Sequence, residues 1–213
     1  SKLTKKFKIK IPSLTGDCFM ESPFWKLYGE DKKSRIKEFL KLSSSCSQLG
    51  INIIVIPLVD GGSIEKIDQS DALTEFLFEK ENLFIEMGLK IVFESDFNPH
   101  QLYKFIKNFN PEVFGINYDL GNSAAMGFNV EEELSSYGNR IYNIHIKDRI
   151  LNGPTVPLGE GNANIPLFFK TLSKLNYSGN FILQTARSKN DEHLKDLINY
   201  RKLIENLIKK YET

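Results

Sequence analysis

Six short apolar runs, each separated from the next by an amphipathic stretch, leave this chain few ways to fold. They are FKIKIPS (7–13), INIIVIPL (51–58), KIVFES (90–95), VFGINY (113–118), IYNIHI (141–146) and NFILQT (180–185). Most are rich in β-branched residues and apolar on both faces, as expected of strands covered on both sides. The stretches between them are long enough for parallel crossovers, which need about a dozen residues or more. The pattern predicts an α/β fold with helices packed on a parallel sheet.

The intervening segments read as helices. Leu73, Phe76, Leu77, Phe84 and Met87 recur at helical spacing before Gly88, a fitting residue just past a helix end. Ser70 before Asp71 and Asn98 before Pro99 read as N-caps, with Leu102, Phe105 and Ile106 continuing a buried stripe. The last segment carries Leu194, Leu197, Ile198, Ile204 and Ile208, which predict a packing stripe. No internal linker interrupts residues 1–213, so a single domain is expected.

Composition removes several function classes. With 213 residues, 41% hydrophobic and 26% charged, the chain has the mass for one sizeable core. A formal net charge of +1 with lysines spread along helices gives no electrostatic case for nucleic acid. Cys18 and Cys46 are far apart and form no CxxC spacing, which predicts neither a disulfide framework nor a zinc knuckle and fits a reducing cytoplasm. No apolar run approaches the roughly 18 residues of a membrane span, and the start, KLTKKFKIK, lacks the apolar core of a signal peptide.

In such folds the carboxyl ends of the strands carry function, because the loops there are free of packing duties. Here those ends supply Asp17, Asp60, Glu94, Asp96, Asp119, Asn122, His145, Asp148, Gln184 and Arg187. Asp60 before Gly61 reads as a turn residue, and Asp96 and Asn98 as helix caps. Glu94, Asp119 and His145 differ, because each lies inside the end of an apolar strand, where an unpaired charge costs several kcal/mol. A shared cation removes that cost, and a mixed oxygen and nitrogen set suits Mn²⁺, Mg²⁺ or Co²⁺. The alternative is a buried network in which His145 donates to one carboxylate.

The run INYDLGNSAAMGFNVEEELSSYGNRIYNIHIKDR, followed by VPLGEGNANIPLFFKTLSKLNYSGNFILQ, resembles the second half of the xylose isomerase-like TIM barrels. The order D-x-GN, H-x-KD and LGEG is most similar to the ketose and ketose-phosphate 3-epimerases, such as L-xylulose-5-phosphate 3-epimerase. The resemblance spans nearly the whole chain, by layout more than by motif in its first half. It implies a (β/α)8-type barrel that is incomplete, with six strand–helix units and the first two missing. Counting strands alone would favour an open doubly wound sheet. The open edge implies a homo-oligomer or a covering segment.

The resemblance also implies a chemistry. A divalent ion, Mn²⁺ ahead of Mg²⁺, Co²⁺ or Zn²⁺, is expected on Glu94, Asp119, His145 and, at the fourth position, Gln184. The expected reaction on a ketose or its phosphate passes through a cis-enediolate, with Glu94 as a base. The family pattern has a second glutamate where this chain has Gln184, and an amide does not accept a proton near neutral pH. Three readings follow: an epimerase with a substitute acid, an aldose–ketose isomerase with one base, or a catalytically silent sugar-binding or regulatory relative. Asp148 and Glu160 are candidate substitutes, with Glu160 expected rather to order the Gly-rich loop, and Asn122, Lys147, Asp148, Glu160 and Arg187 are candidate substrate contacts. Apurinic endonucleases share the barrel, but their multi-zinc site needs more histidines than His100, His145 and His193 supply. His100 and His193 read as surface residues.

Overall fold

The computed structural model describes residues 2–188 and 190–211. Its strands are β1 (Ser13–Thr15), β2 (Ile53–Leu58), β3 (Lys90–Ser95), β4 (Phe114–Asp119), β5 (Ile141–Ile146), β6 (Asp148–Arg149), β7 (Thr155–Val156) and β8 (Asn180–Leu183). Its α-helices are α1 (Lys2–Phe7), α2 (Asp17–Glu21), α3 (Gly29–Leu49), α4 (Ile67–Glu86), α5 (Pro99–Ile106), α6 (Leu120–Met126), α7 (Val130–Tyr137), α8 (Ile165–Leu172) and α9 (His193–Tyr211). The larger sheet has the order β1-β2-β3-β4-β5-β8, and β6 and β7 form a separate antiparallel pair. This is the sequential order of a TIM barrel, with six strands where a full barrel has eight.

The apolar runs from residue 51 onward each hold a strand. The first run does not. Lys2–Phe7 is helical and β1 begins only at Ser13. Pro12 has no N–H for a ladder, and Ile9 and Ile11 are 58% and 46% exposed, so their alternation with lysine has no sheet face to bury. At the other end β8 stops at Leu183, two residues short of the expected run, and all four of its residues are only half-buried.

Contacts divide the described chain into two compact units, one running to Ser95 and including Ile106–Ile116, the other comprising Asp96–Phe105 and the chain from Asn117 onward. In the first, β2 pairs in parallel with β1 and β3, and β3 with the start of β4. β2 tolerates Pro57 because its pairing with β1 ends at Val55, leaving one ladder there instead of two. Phe39 of α3 centres an aromatic cluster with Phe19, Phe24, Phe76 and Phe84, at ring-centroid distances of 5.1 to 6.2 Å. Such edge-on pairs add about 0.5–1.5 kcal/mol each beyond burial. Helix α4 starts at Ile67, ahead of the Ser70 expected from sequence, because the Gln69 amide oxygen accepts the N–H groups of Glu65 and Lys66 at 2.8 and 3.3 Å. The Gly88 helix end is as expected, with φ +65°.

In the second unit β5 pairs in parallel with β8, His145 lying opposite Ile182. The helices are capped by side chains: Asn98 accepts from Gln101 N–H at 2.9 Å, Asn129 from Glu131 and Glu132, and Asn164 from Leu167. The predicted stripe of α9 is only partly used. Ile204 is buried, whereas Leu194, Leu197 and Ile198 are 73%, 41% and 41% exposed, because the described residues do not cover the start of that helix.

Glu133 of α7 is buried, and the ring of its partner Tyr118 stacks on Phe168 at 5.2 Å. Its carboxylate accepts from Tyr118 Oη at 2.7 Å, Tyr137 Oη at 2.8 Å and Ser123 Oγ. Burial raises the Glu133 pKa from its ordinary 4.5 more than the three hydroxyls lower it. A carboxyl that binds its proton more tightly when folded contributes stability that is complete below 4.5 and is lost as pH rises through the raised folded value. Glu133→Gln should therefore flatten this dependence. Melting curves across the acid-to-neutral range should show the variant gaining on the parent as pH rises, and a constant difference would contradict the assignment.

Candidate functional site

The second unit builds a polar line on the inner face of two adjacent strands. Side chains two residues apart on a strand share a face, so Asn117 accompanies Asp119 on β4 and Asn143 accompanies His145 on β5. All four are buried. Asp119 also caps α6, its Oδ1 accepting Asn122 N–H at 2.8 Å. That leaves Oδ2 facing Lys147 Nζ at 3.4 Å and His145 Nδ1 at 3.7 Å. Two ligands at about 2.0–2.2 Å from one ion lie no more than about 4.4 Å apart, so this pair fits a shared cation.

The motif spacings have a mechanical reason. Gly121 is the place where the Lys147 stem crosses α6, and a Cβ there would lie 2.6 Å from Lys147 Cγ and 3.0 Å from Lys147 Cβ. The crossing carries Nζ to Asp119 and to within 3.4 Å of Asn122 Oδ1. Arg149 reaches the same Asn122 oxygen at 2.9 Å while donating from Nε and Nη2 to Gly153 O. Asn122 and Lys147 thus stand beside Asp119, as expected, and Arg149 joins them without having been anticipated.

Asp148 takes the loop-ordering role expected of Glu160. Asp148 is fully buried, and its carboxylate accepts the N–H groups of Gly159 and Gly161 on Oδ2 at 2.9 and 3.0 Å and of Ala163 on Oδ1 at 2.9 Å. These three bonds tie the Gly-rich loop to the end of β5. Glu160 does not order that loop; its residue is exposed. Glycine is required at 161, where a Cβ would run into the Asp148 carboxylate and lie 2.7 Å from Arg149 O.

In the first unit, Glu94 ends the buried part of β3 and is itself 6% exposed. Asp60 has φ +50° and is exposed, the turn residue expected, and Asp17 is the exposed first residue of α2. Gln184 follows β8 and is exposed, with its backbone N–H donating to Ile146 O at 3.0 Å. Arg187 is exposed as well. His100 and His193 are surface residues, as expected.

The family model of the xylose isomerase-like TIM barrel matches residues 1–207. The chain belongs to that family. Among curated proteins, one from Haemophilus influenzae, provisionally named an L-ribulose-5-phosphate 3-epimerase, is 28% identical over 215 residues, covering 92% of this chain and 73% of its own length. Two solved members of the xylose isomerase-like fold align over 99% of the chain. A xylose isomerase domain protein from Planctomyces limnophilus has a TM-score of 0.79, 21% identity and 82% of its own length covered. An IOLI protein with a bound zinc atom has a TM-score of 0.78, 21% identity and 81% of its own length covered. The fold is therefore that of an incomplete xylose isomerase-like barrel.

Asn117, Asn143 and Arg149 were legible in principle. An amide in the middle of an otherwise apolar strand carries the same signal that singled out Asp119 and His145 two residues further on. Arg149 had only its place next to H-x-KD to mark it.

Proposed function

We propose that the protein is a divalent-metal-dependent isomerase or epimerase of a ketose or ketose phosphate, working through a cis-enediolate. The observation that carries this reading is the donor set: two carboxylates and one imidazole, Glu94, Asp119 and His145, each buried at the end of its strand. This oxygen and nitrogen set fits Mn²⁺ first, with Mg²⁺, Co²⁺ or Zn²⁺ as substitutes, beside the positive charge that Lys147 Nζ already brings to 3.4 Å from Asp119 Oδ2. Family membership, the named epimerase relative and the zinc-holding neighbour support the same chemistry.

Glu94, Asp119 and His145 would hold the ion, with Gln184 as a neutral fourth ligand. When bound, such an ion supplies positive charge to the oxygens that share the charge of an enediolate. Glu94 accepts the proton from the carbon next to the carbonyl; the C–H electron pair forms the new C=C bond and the carbonyl π pair moves to oxygen. Lys147 would donate to the sugar hydroxyls, with Asn122 beside it and Arg187 as a further contact. Asp148 is committed to backbone amides and Gln184 accepts no proton. Glu94 is then the one base of the set, which favours same-face transfer to the neighbouring carbon, an aldose–ketose isomerisation; epimerisation would need a second acid on the opposite face.

The expected site of action is the cytoplasm, in keeping with two unpaired cysteines. No helix among the described residues is long and apolar enough to cross a membrane. The half-buried edge strand β8 supports a homo-oligomer.

The test is deuterium uptake. Incubated with Mn²⁺ in D₂O, a panel of ketoses and ketose phosphates should include one that gains deuterium at the carbon next to its carbonyl. Gln184 favours one competing reading, a catalytically silent sugar binder. Sugar-dependent thermal stabilisation with no uptake across the panel would select it.

A further inference from the structure

Inward positions in such barrels are ordinarily filled by branched apolar side chains. Here Asn117, Asp119, Asn143 and His145 occupy them, at 2%, 4%, 0% and 3% exposure. Three of the four form one hydrogen-bonded line. Asn143 Nδ2 donates to Asn117 Oδ1 at 2.7 Å, and Asn117 Nδ2 then faces His145 Nδ1 at 3.2 Å. An amide NH₂ group donates and does not accept. The direction of the line therefore makes Nδ1 the acceptor and leaves the proton of the neutral ring on Nε2.

That direction has its own physical reason. Asn143 Oδ1 is buried and has no hydrogen-bond partner among the described residues. Turning both amides over would reverse the line and place an NH₂ group where that oxygen now sits. A buried unpaired N–H is rarer in proteins than an under-satisfied carbonyl oxygen, so the observed direction is the less costly one. It also sets the unprotonated Nδ1 beside Asp119 Oδ2, 3.7 Å away, with lone pairs on both atoms. Lys147 Nζ, 3.4 Å from that oxygen, offsets part of the repulsion, and a divalent ion between the two atoms would remove it.

We propose that Asn117, oriented by Asn143, is a positioning residue that holds His145 in the tautomer with Nδ1 unprotonated, so that Nδ1 is the nitrogen offered to a divalent ion. In the metal-free protein the Asn117 N–H occupies the lone pair that the ion takes. The assignment builds on His145 as a ligand, but its main readout needs neither ion nor sugar, so absence of isomerase activity leaves it standing.

The test is a long-range proton–nitrogen NMR spectrum of the ¹⁵N-labelled, metal-free protein at a pH well above the ordinary histidine pKa of about 6.5. The chain has three histidines, and the His145 signals are identified by their loss in His145→Gln. His145 should show a pyridine-like Nδ1 and a pyrrole-like Nε2. Asn117→Asp, whose carboxylate accepts only, should exchange the two. Zn²⁺, which is diamagnetic, should shift Nδ1 and leave Nε2 pyrrole-like. A wild-type spectrum with the proton on Nδ1, evenly mixed tautomers, or Zn²⁺ acting on Nε2 instead would overturn the proposal. The wild-type spectrum decides the matter even where Asn117→Asp does not fold.

Discussion

Glu94→Gln is expected to lower deuterium uptake into the reactive ketose by between about a hundredfold and ten-thousandfold, the range associated with loss of a general base. The substitution preserves shape and volume and removes both the proton-accepting capacity and one negative charge. Glu94 is 6% exposed and glutamine keeps its size, so the fold should tolerate the change. The melting temperature should stay within a few degrees of the parent while exchange collapses. This split between stability and activity separates a base from a residue that merely packs. Uptake within a few-fold of the parent would remove Glu94 from the mechanism.

Asp148→Ala should cost the fold roughly 3 kcal/mol or more, since it strands three backbone N–H groups at about 1–3 kcal/mol each where burial is retained. The N–H groups of Gly159, Gly161 and Ala163 have the Asp148 carboxylate as their acceptor at 2.9 to 3.0 Å. Asp148→Asn is the informative companion. Its oxygen can serve Gly159 and Gly161, but its NH₂ group faces Ala163 N–H, donor against donor, so an intermediate loss in urea midpoint is expected. Equal midpoints for all three proteins would mean that the loop does not depend on this carboxylate. A loss of exchange with midpoints unchanged would instead return Asp148 to the role of substrate-facing acid.

Much of this architecture could be read from the sequence, for a reason visible in particular residues. Ile53–Leu58 and Phe114–Asp119 are buried at every position, and continuous apolar runs between helical periodicities have few other places to go. The failures lie at the margins. Ile9 and Ile11 alternate with lysine as a strand would, yet burial depends on a neighbouring sheet face that local sequence does not report. Leu194 and Ile198 have helical spacing for the same unfulfilled purpose.

The proposed ligands were legible where an ionisable residue interrupted an apolar strand, as at Glu94, Asp119 and His145. Sequence does not say where a carboxylate points. Asp148 follows His145 by three positions, a spacing that suits a pocket residue, yet its carboxylate turns to the backbone of residues 159–163. The glycines of LGEG held the clue, since Gly161 leaves room for that carboxylate and Gly159 takes φ +92°. Asn117 and Asn143 were passed over because amides draw less notice than charges.

Glu94, Asp119 and His145 are proposed as joint ligands of one divalent cation, and titration of the metal-free protein with Mn²⁺ by calorimetry tests it. One ion per chain is expected for the wild type, with loss of that binding in Asp119→Asn and in His145→Gln while both variants stay folded by circular dichroism. Absence of saturable binding in the wild type, or binding that both variants retain, would contradict it.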